Sequence, residues 1–473
     1  MPLRLRARAL PVLLLAASPL ASPLASSAAA EERQVSFRPL AEVRLRWEAF
    51  DTPLPRADRD ATYDFGLLRA RFGGELAWAR GWRLKGVLQA AAMSTLPDDA
   101  AFGSGPTYLS TNGGDRDPAH LGLAELALSW KRDDLTVTVG RQGYADGLEA
   151  LPGVPLLDGV ARRKLGERLV GSFDFPNVGR RYDGARLGVD LAGAARLETF
   201  ALRLLAGGFH YDDAFEPLDV ELAGVAVASP LGGWLPRTQL RAFAIAYRDD
   251  RRLTRESLGA DVEVVTLGGS ALAGTADWDL LAWLALQRGD FGRDDHRAWA
   301  TVLEAGRRFA GLPGAPSFHL GFERASGGGG GGDHQAFFNL LPTNHKFYGA
   351  LDSSAFSNLA DLYLEGRWVP APGWTLALAL HDLRLVDRGD AWYAGSGAFS
   401  DREFGYAARR PASGRFASRD LGRELDLAAT RALGHGLEAK LEAGWLAGGD
   451  AAAEILAADE DGGWLALELT WKL

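Results

Sequence analysis

Beyond residue 30, apolar and polar side chains alternate along most of the chain. Val43, Leu45 and Trp47 share one face of a segment whose other face carries Arg44, Arg46 and Glu48. The same period recurs in Leu68-Arg69-Ala70-Arg71-Phe72, in Trp82-Arg83-Leu84-Lys85 and in Glu125-Leu126-Ala127-Leu128-Ser129-Trp130-Lys131. The last segment sets Leu465, Leu467, Leu469, Trp471 and Leu473 against Glu468, Thr470 and Lys472. A period of two puts successive side chains on opposite faces, so each segment reads as a strand with two different environments.

The connections between these segments fall into two lengths that take turns. Short ones lie at 79–81, 132–134, 193–195, 274–275, 370–373 and 433–436. Long ones lie at 51–62, 93–118, 144–179, 287–297, 326–358, 386–422 and 447–460. Tight turns at one rim and long loops at the other predict an all-β fold, a transmembrane antiparallel β-barrel of about 18 strands with periplasmic turns and extracellular loops. A soluble propeller or sandwich also alternates. A propeller, however, repeats itself about every 40 residues, and no such repeat is visible. The apolar-faced closing strand resembles the C-terminal assembly signal of outer-membrane proteins, with Leu473 where an aromatic is more usual.

A barrel in a bilayer turns its apolar face to lipid and its polar face to the lumen, which explains a membrane protein without one long apolar run. Trp47, Trp78, Trp82, Trp130, Trp278, Trp368, Trp374 and Trp471 lie near segment ends, where amphipathic rings sit at headgroup level.

Residues 1–30 read as a cleaved signal peptide and 31–473 as the barrel. Arg4, Arg6 and Arg8 precede an apolar stretch, and Ala28-Ala29-Ala30 stands before Glu31. Pro11, Pro19 and Pro23 interrupt that stretch, whereas a spanning helix needs about 20 apolar residues. The formal net charge is −9 and there is no cysteine. An acidic chain disfavours nucleic acid as a partner, and disulfides, thiol chemistry and cysteine metal sites are excluded.

Phasing the first strands places Arg44, Arg46, Arg69, Arg71, Arg83 and Lys85 on the polar face, with Glu42, Glu48 and Glu75 among them. Guanidinium groups match carboxylates in a two-pronged fork, so this wall suits the passage of anions. Pairing with luminal acids such as Glu48, Glu75 and Glu468 is the competing reading. The 144–179 loop carries Arg162, Arg163, Lys164 and Arg168 between Leu156, Leu157, Leu169 and Val170. A loop of that length is a candidate for folding inward and narrowing a channel; on the surface, its cations would meet lipopolysaccharide phosphates.

Other polar clusters are weaker. His296 beside Asp294 and Asp295, and His334 beside Asp333, lack the ligand count of a metal site. Glu454, Asp459, Glu460 and Asp461 suit at most weak calcium binding. His345, near Phe347 and Tyr348, reads as loop packing. No G-x-S-x-G elbow or comparable array stands out, so an enzyme is not expected; with the ligand sets above, neither a resident metal nor a cofactor is expected.

Several phrases together carry a family resemblance. "FNLLPTNHKFYGALD" follows six glycines, 327–332, and leads into "NLADLYLEGRWVPAPGWTLALALHDLRL" and "DAWYAGSG". With "VTVGRQGYADG", "FPNVGRRYDGARLGV" and "GRELDLAATRAL", these resemble the alginate export family of bacterial outer-membrane porins. Counting strands places the first phrase in the long loop between the thirteenth and fourteenth, and the resemblance implies an eighteen-stranded barrel that passes anionic oligo- or polysaccharide or related small anionic solutes. A barrel so placed has outer-membrane lipid and lipopolysaccharide as expected partners, with small anionic or sugar solutes, and periplasmic export proteins are further candidates. The glycine run departs from the family and leaves the solute open. An unselective porin, and from another class a barrel enzyme or adhesin, are the alternatives.

Overall fold

The computed structural model describes residues 35–51, 62–94, 96–98, 100, 102–231, 237–330, 332–456 and 460–473. The expected signal peptide, most of the 51–62 loop and Asp459 lie outside the described residues.

Eighteen strands close into one antiparallel barrel. In chain order they are β1 Ser36–Asp51, β2 Thr62–Trp78, β3 Trp82–Met93, β4 Ala119–Arg132, β5 Leu135–Gln142 and β6 Tyr182–Asp190. Next come β7 Arg196–Leu205, β8 Pro217–Leu231, β9 Thr238–Asp249, β10 Val262–Gly274, β11 Trp278–Phe291 and β12 Asp294–Arg308. The last are β13 Ser317–Ala325, β14 Leu359–Trp368, β15 Trp374–Leu385, β16 Asp420–Gly434, β17 Leu437–Gly448 and β18 Gly462–Lys472. β18 pairs back onto β1, from Glu42 opposite Lys472 to Asp51 opposite Gly463. Closure removes the open sheet edge, which a bilayer does not tolerate. Among the described residues no helix is long and apolar enough to cross a membrane.

Alternation sorts the side chains as the period demands. In β1, Arg44, Arg46 and Glu48 point inward and are at most 5% exposed, while Leu45 is 49% exposed on the outside. Leu280, Leu284, Leu303, Leu320, Leu364, Leu380, Leu427 and Leu467 continue an outer apolar belt. So large an apolar surface on a single chain marks a lipid-facing wall. Trp78, Trp82, Trp130, Trp278, Trp368, Trp374 and Trp471 gather at the short-turn rim, with Trp78 and Trp82 stacked at 6.3 Å. Trp47 and the outward Trp299 and Trp445 sit toward the long-loop rim.

Three features differ from the sequence reading. The expected long connection at 287–297 is a tight turn, because β11 runs on to Phe291 and β12 starts at Asp294. Beyond the apolar belt both faces of a hairpin can be polar, so alternation fades while the strand continues. Residues 206–216 and 250–261 form longer connections at the same rim that alternation did not announce. Finally, much of the inner face of β8–β12 is apolar rather than polar: Val220, Leu222, Ile245, Val264, Leu281 and Trp283 are buried in one cluster with Leu157, Val160, Leu165 and Leu169. That stretch of wall faces packed loop, not water.

Candidate permeation path

The connection between β5 and β6, residues 143–181, enters the barrel and spans it from wall to wall. Asp146 gathers its neck by accepting from the backbone N–H groups of Leu169 and Val170 at 3.1 and 2.9 Å. Glu149 takes a two-pronged bond from Arg241 of β9 at 2.9 and 2.7 Å. A short helix, Pro155–Val160, runs into a π-helical turn, Ala161–Leu165. Together they press apolar residues onto the β8–β12 wall and leave the cations on the opposite side.

Those cations fasten the loop to β12–β14. Lys164 is paired with Glu365 of β14 and lies 3.5 Å from Glu304 of β12. Arg168 forms a fork with Glu323 of β13 at 2.8 and 3.1 Å, and neither side chain is exposed. Its guanidinium also stands over the Phe347 ring at 4.3 Å. An ion pair so buried is costly to break because the surviving charge is left without a partner.

The other end of the loop docks on the basic wall. Arg44 donates to the carbonyls of Asp174 and Pro176 at 2.9 and 3.1 Å. Arg69 reaches the Asp174 carbonyl at 3.0 Å and the Glu42 carboxylate at 2.8 Å. The Asp174 carboxylate accepts from Arg71 at 2.7 Å and from Arg181 at 3.2 Å. Enclosure in the lumen opposes its ionisation, yet Arg181, Arg71 and Arg69 hold this carboxyl well below its ordinary 3.8. Arg46 pairs with Glu48 at 2.8 Å and stands over the Phe175 ring at 4.3 Å. Asn177 completes the dock by donating to the carbonyls of Leu68 and Ala92 at 2.9 and 3.0 Å.

Two further loops lock the first. Arg180, fully buried, donates to the carbonyls of Leu341 at 2.9 Å and Ser396 at 2.8 Å, so one side chain pins the 326–358 and 386–419 loops together. His345 lies flat on Phe175 at 3.5 Å and bonds Asp352 at 2.8 Å. Lys346 donates to the carbonyls of Arg162 and Gly166 at 3.1 and 2.8 Å.

The ten sequence-singled cations therefore divide. Arg44, Arg46, Arg69, Arg71, Lys164 and Arg168 are drawn into the loop layer or its wall pairs. Arg83 and Lys85 stay apart from it, facing Glu75 at 3.7 Å and pairing with Glu125 beside a cavity of about 470 Å³. Arg162 is exposed. Arg163 lines a second cavity of about 530 Å³ with Arg367 and Lys440 opposite Glu438, Glu442 and Glu468. On the long-loop side, Arg409 lines a cavity of about 160 Å³ with Glu48, Phe102, Glu403 and Trp464. It donates to the Ser353 carbonyl at 3.2 Å, and burial pushes its pKa down to about 10. Among the described residues no carboxylate lies within ion-pair distance of Arg163 or Arg409.

Sequence reasoning missed Arg180, Arg409 and the acids Asp174, Glu304, Glu323 and Glu365. The last three stand at inward positions of their strands, so phase was a usable signal; Asp174, Arg180 and Arg409 lie in loops without a period. His296 and His334, weighed separately as ligands, meet each other with their Nδ1 atoms 2.8 Å apart. In the acidic loop, Glu454 accepts from the Ala417 and Ser418 N–H groups and Asp461 from that of Gly448.

The fold recurs in solved structures from Pseudomonas aeruginosa. OccK7 (OpdD) is 16% identical with a TM-score of 0.54, over 92% of this chain and 98% of that one. OccK2 (OpdF) in complex with glucuronate is 12% identical with a TM-score of 0.54, over 92% and 98%. The outer membrane protein opdK is 12% identical with a TM-score of 0.51, over 92% and 98%. No curated protein matches the sequence. The alginate export family model matches residues 40–460, nearly the whole barrel. A closed eighteen-stranded wall, inward-folded loops and a family match of that extent lead to one statement: the chain belongs to the alginate export family.

Proposed function

We propose that the protein is a bacterial outer-membrane diffusion channel whose path favours small anionic, uronate-like sugars. In this reading residues 1–30 are the signal peptide, 31–473 the mature barrel, the short turns face the periplasm and the long loops meet lipopolysaccharide outside. The observation that carries the preference is that Arg163 and Arg409 face cavities on the two sides of the loop layer without a carboxylate partner among the described residues. A cation whose charge no carboxylate neutralises at ion-pair distance lowers the barrier for an anion, and one such residue on each side permits entry without trapping. The basic ladder of Arg44, Arg46, Arg69 and Arg71 acts chiefly by holding the loop, and only secondarily by its field.

An unselective porin is the second reading, supported by the mixed charge of the cavity around Arg163. Reversal potentials in a planar bilayer under a salt gradient, with glucuronate or its oligomers on one side, separate the two. Anion selectivity that is blocked by uronate and lost in Arg163→Glu with Arg409→Glu supports the proposal. An unselective, unblocked current would leave a general porin. Hydrolysis of lipid or peptide without conductance would replace the channel with an enzyme, and an inert barrel would suggest an adhesin. Passive flow has no direction of its own, so export would follow from periplasmic partners that supply the gradient.

A further inference from the structure

Three inward side chains of β11–β13, one of them Glu304 beside the Lys164 anchor, turn toward one another atoms that neither the permeation path nor the loop anchors occupy. Asp279, Gly306 and His319 stand in direct cross-strand register, and Glu304 lies one inward position along β12. Asp279 is 1%, Glu304 4% and His319 1% exposed. One ligand atom from each lies within 4.8 Å of the others, and His319 Nε2 is 3.3 Å from Asp279 Oδ2. Neither oxygen of Asp279 has a hydrogen-bond partner, and Glu304 Oε1 and His319 Nε2 have none either. The other Glu304 oxygen is occupied, accepting from the Tyr363 hydroxyl at 2.8 Å with Lys164 at 3.5 Å.

A buried carboxylate without a donor is strongly unfavourable unless a charge meets it. The space between the groups is kept open by sequence: a Cβ on Gly306 would collide with Asp279 Oδ2 and with the His319 ring. We propose that Asp279 Oδ2, Glu304 Oε1 and His319 Nε2 form a divalent-metal site, zinc foremost, in the inner barrel wall. Two ligands of a tetrahedral zinc at about 2.1 Å stand about 3.4 Å apart, matching the Asp279–His319 spacing. A carboxylate oxygen of Glu304 stands within 4.8 Å of both. Bound metal ties three neighbouring strands and, through Glu304, steadies the Lys164 anchor of the inserted loop.

The test uses full-length protein in detergent, stripped with chelator, dialysed against zinc and analysed for metal. The expected result is about one zinc per chain, a raised melting temperature, and loss of the ion in Asp279→Asn and in His319→Gln. Asp382→Asn, an acid of β15 outside both the cluster and the loop anchors, keeps it. No retained zinc, or equal zinc in both cluster variants, would overturn the site and leave a buried His319–Asp279 contact. Where a variant does not fold, X-ray absorption of the zinc-loaded wild-type protein decides. One imidazole with carboxylate oxygens supports the assignment, and a shell without imidazole refutes it.

Discussion

Arg168 and Glu323 meet in a two-pronged ion pair, 2.8 and 3.1 Å long, with neither side chain exposed. One belongs to the inserted loop and the other to β13, so this pair is where the loop becomes part of the wall. Glu323→Gln keeps the shape but leaves a guanidinium without its anion. Breaking such a pair costs about 3–5 kcal/mol. The variant is expected to melt at lower temperature, and its single-channel trace to show larger, noisier openings than wild type. An unchanged trace would mean that the loop stays seated without this anchor.

At the opposite dock, Asp174 neutralises Arg71 and Arg181 and lies 3.8 Å from Arg69. Asp174→Asn removes that charge while its backbone carbonyl still receives Arg44 and Arg69. Reversal potentials are expected to move toward stronger anion selectivity. The double reversal Arg69→Glu with Arg71→Glu acts differently, because it repels Asp174 and releases the loop. Raised conductance is expected to accompany its shift toward cations. A selectivity change with constant conductance would assign these arginines to the path alone.

pH acts through His345. Burial disfavours the imidazolium, but the Asp352 carboxylate at 2.8 Å outweighs it and holds the pKa above the ordinary 6.5. A raised folded-state pKa means that the contribution is full at acid pH and is lost as pH rises through the raised value. The contact of the 326–358 loop with Phe175 should therefore loosen on the alkaline side, seen as more frequent current fluctuations. His345→Gln is expected to flatten this dependence; a persisting one would point to another group.

The outer belt offers a test of membrane placement. Leu284 of β11 is 47% exposed on the apolar face. An arginine at the bilayer midplane of a barrel costs about 2–4 kcal/mol. Leu284→Arg is expected to lower folding yield into lipid vesicles and the temperature at which the barrel loses its compact gel mobility. Equal stability would place Leu284 outside the hydrocarbon layer.

Strand existence, and strand phase where lumen and lipid differ as in β1–β3, were legible because each follows from local alternation between two solvents; the apolar inner face of β8–β12 was not, since packed loop covers it. Arg44, Leu45, Arg46 and Trp47 announce which side each occupies without knowledge of any other residue. The loop phrases resembling the alginate export family were legible for a different reason, since the resemblance rests on whole phrases such as 338–352 and not on a period. The hairpin at Phe291–Asp294 was not, because its charges lie above the apolar belt and alternation carries no signal there.

What the sequence determined by itself is the wall: eighteen two-faced strands, their inward arginines, and the family. What only the tertiary structure decided is who meets those arginines. Arg168 finds Glu323 across 155 positions and Arg44 finds Pro176 across 132. Such pairings depend on how a long loop packs once the barrel has closed around it. Local period cannot encode them, since ion pairing and burial are set by three-dimensional distance, whereas alternation is set by the pleat of a single strand.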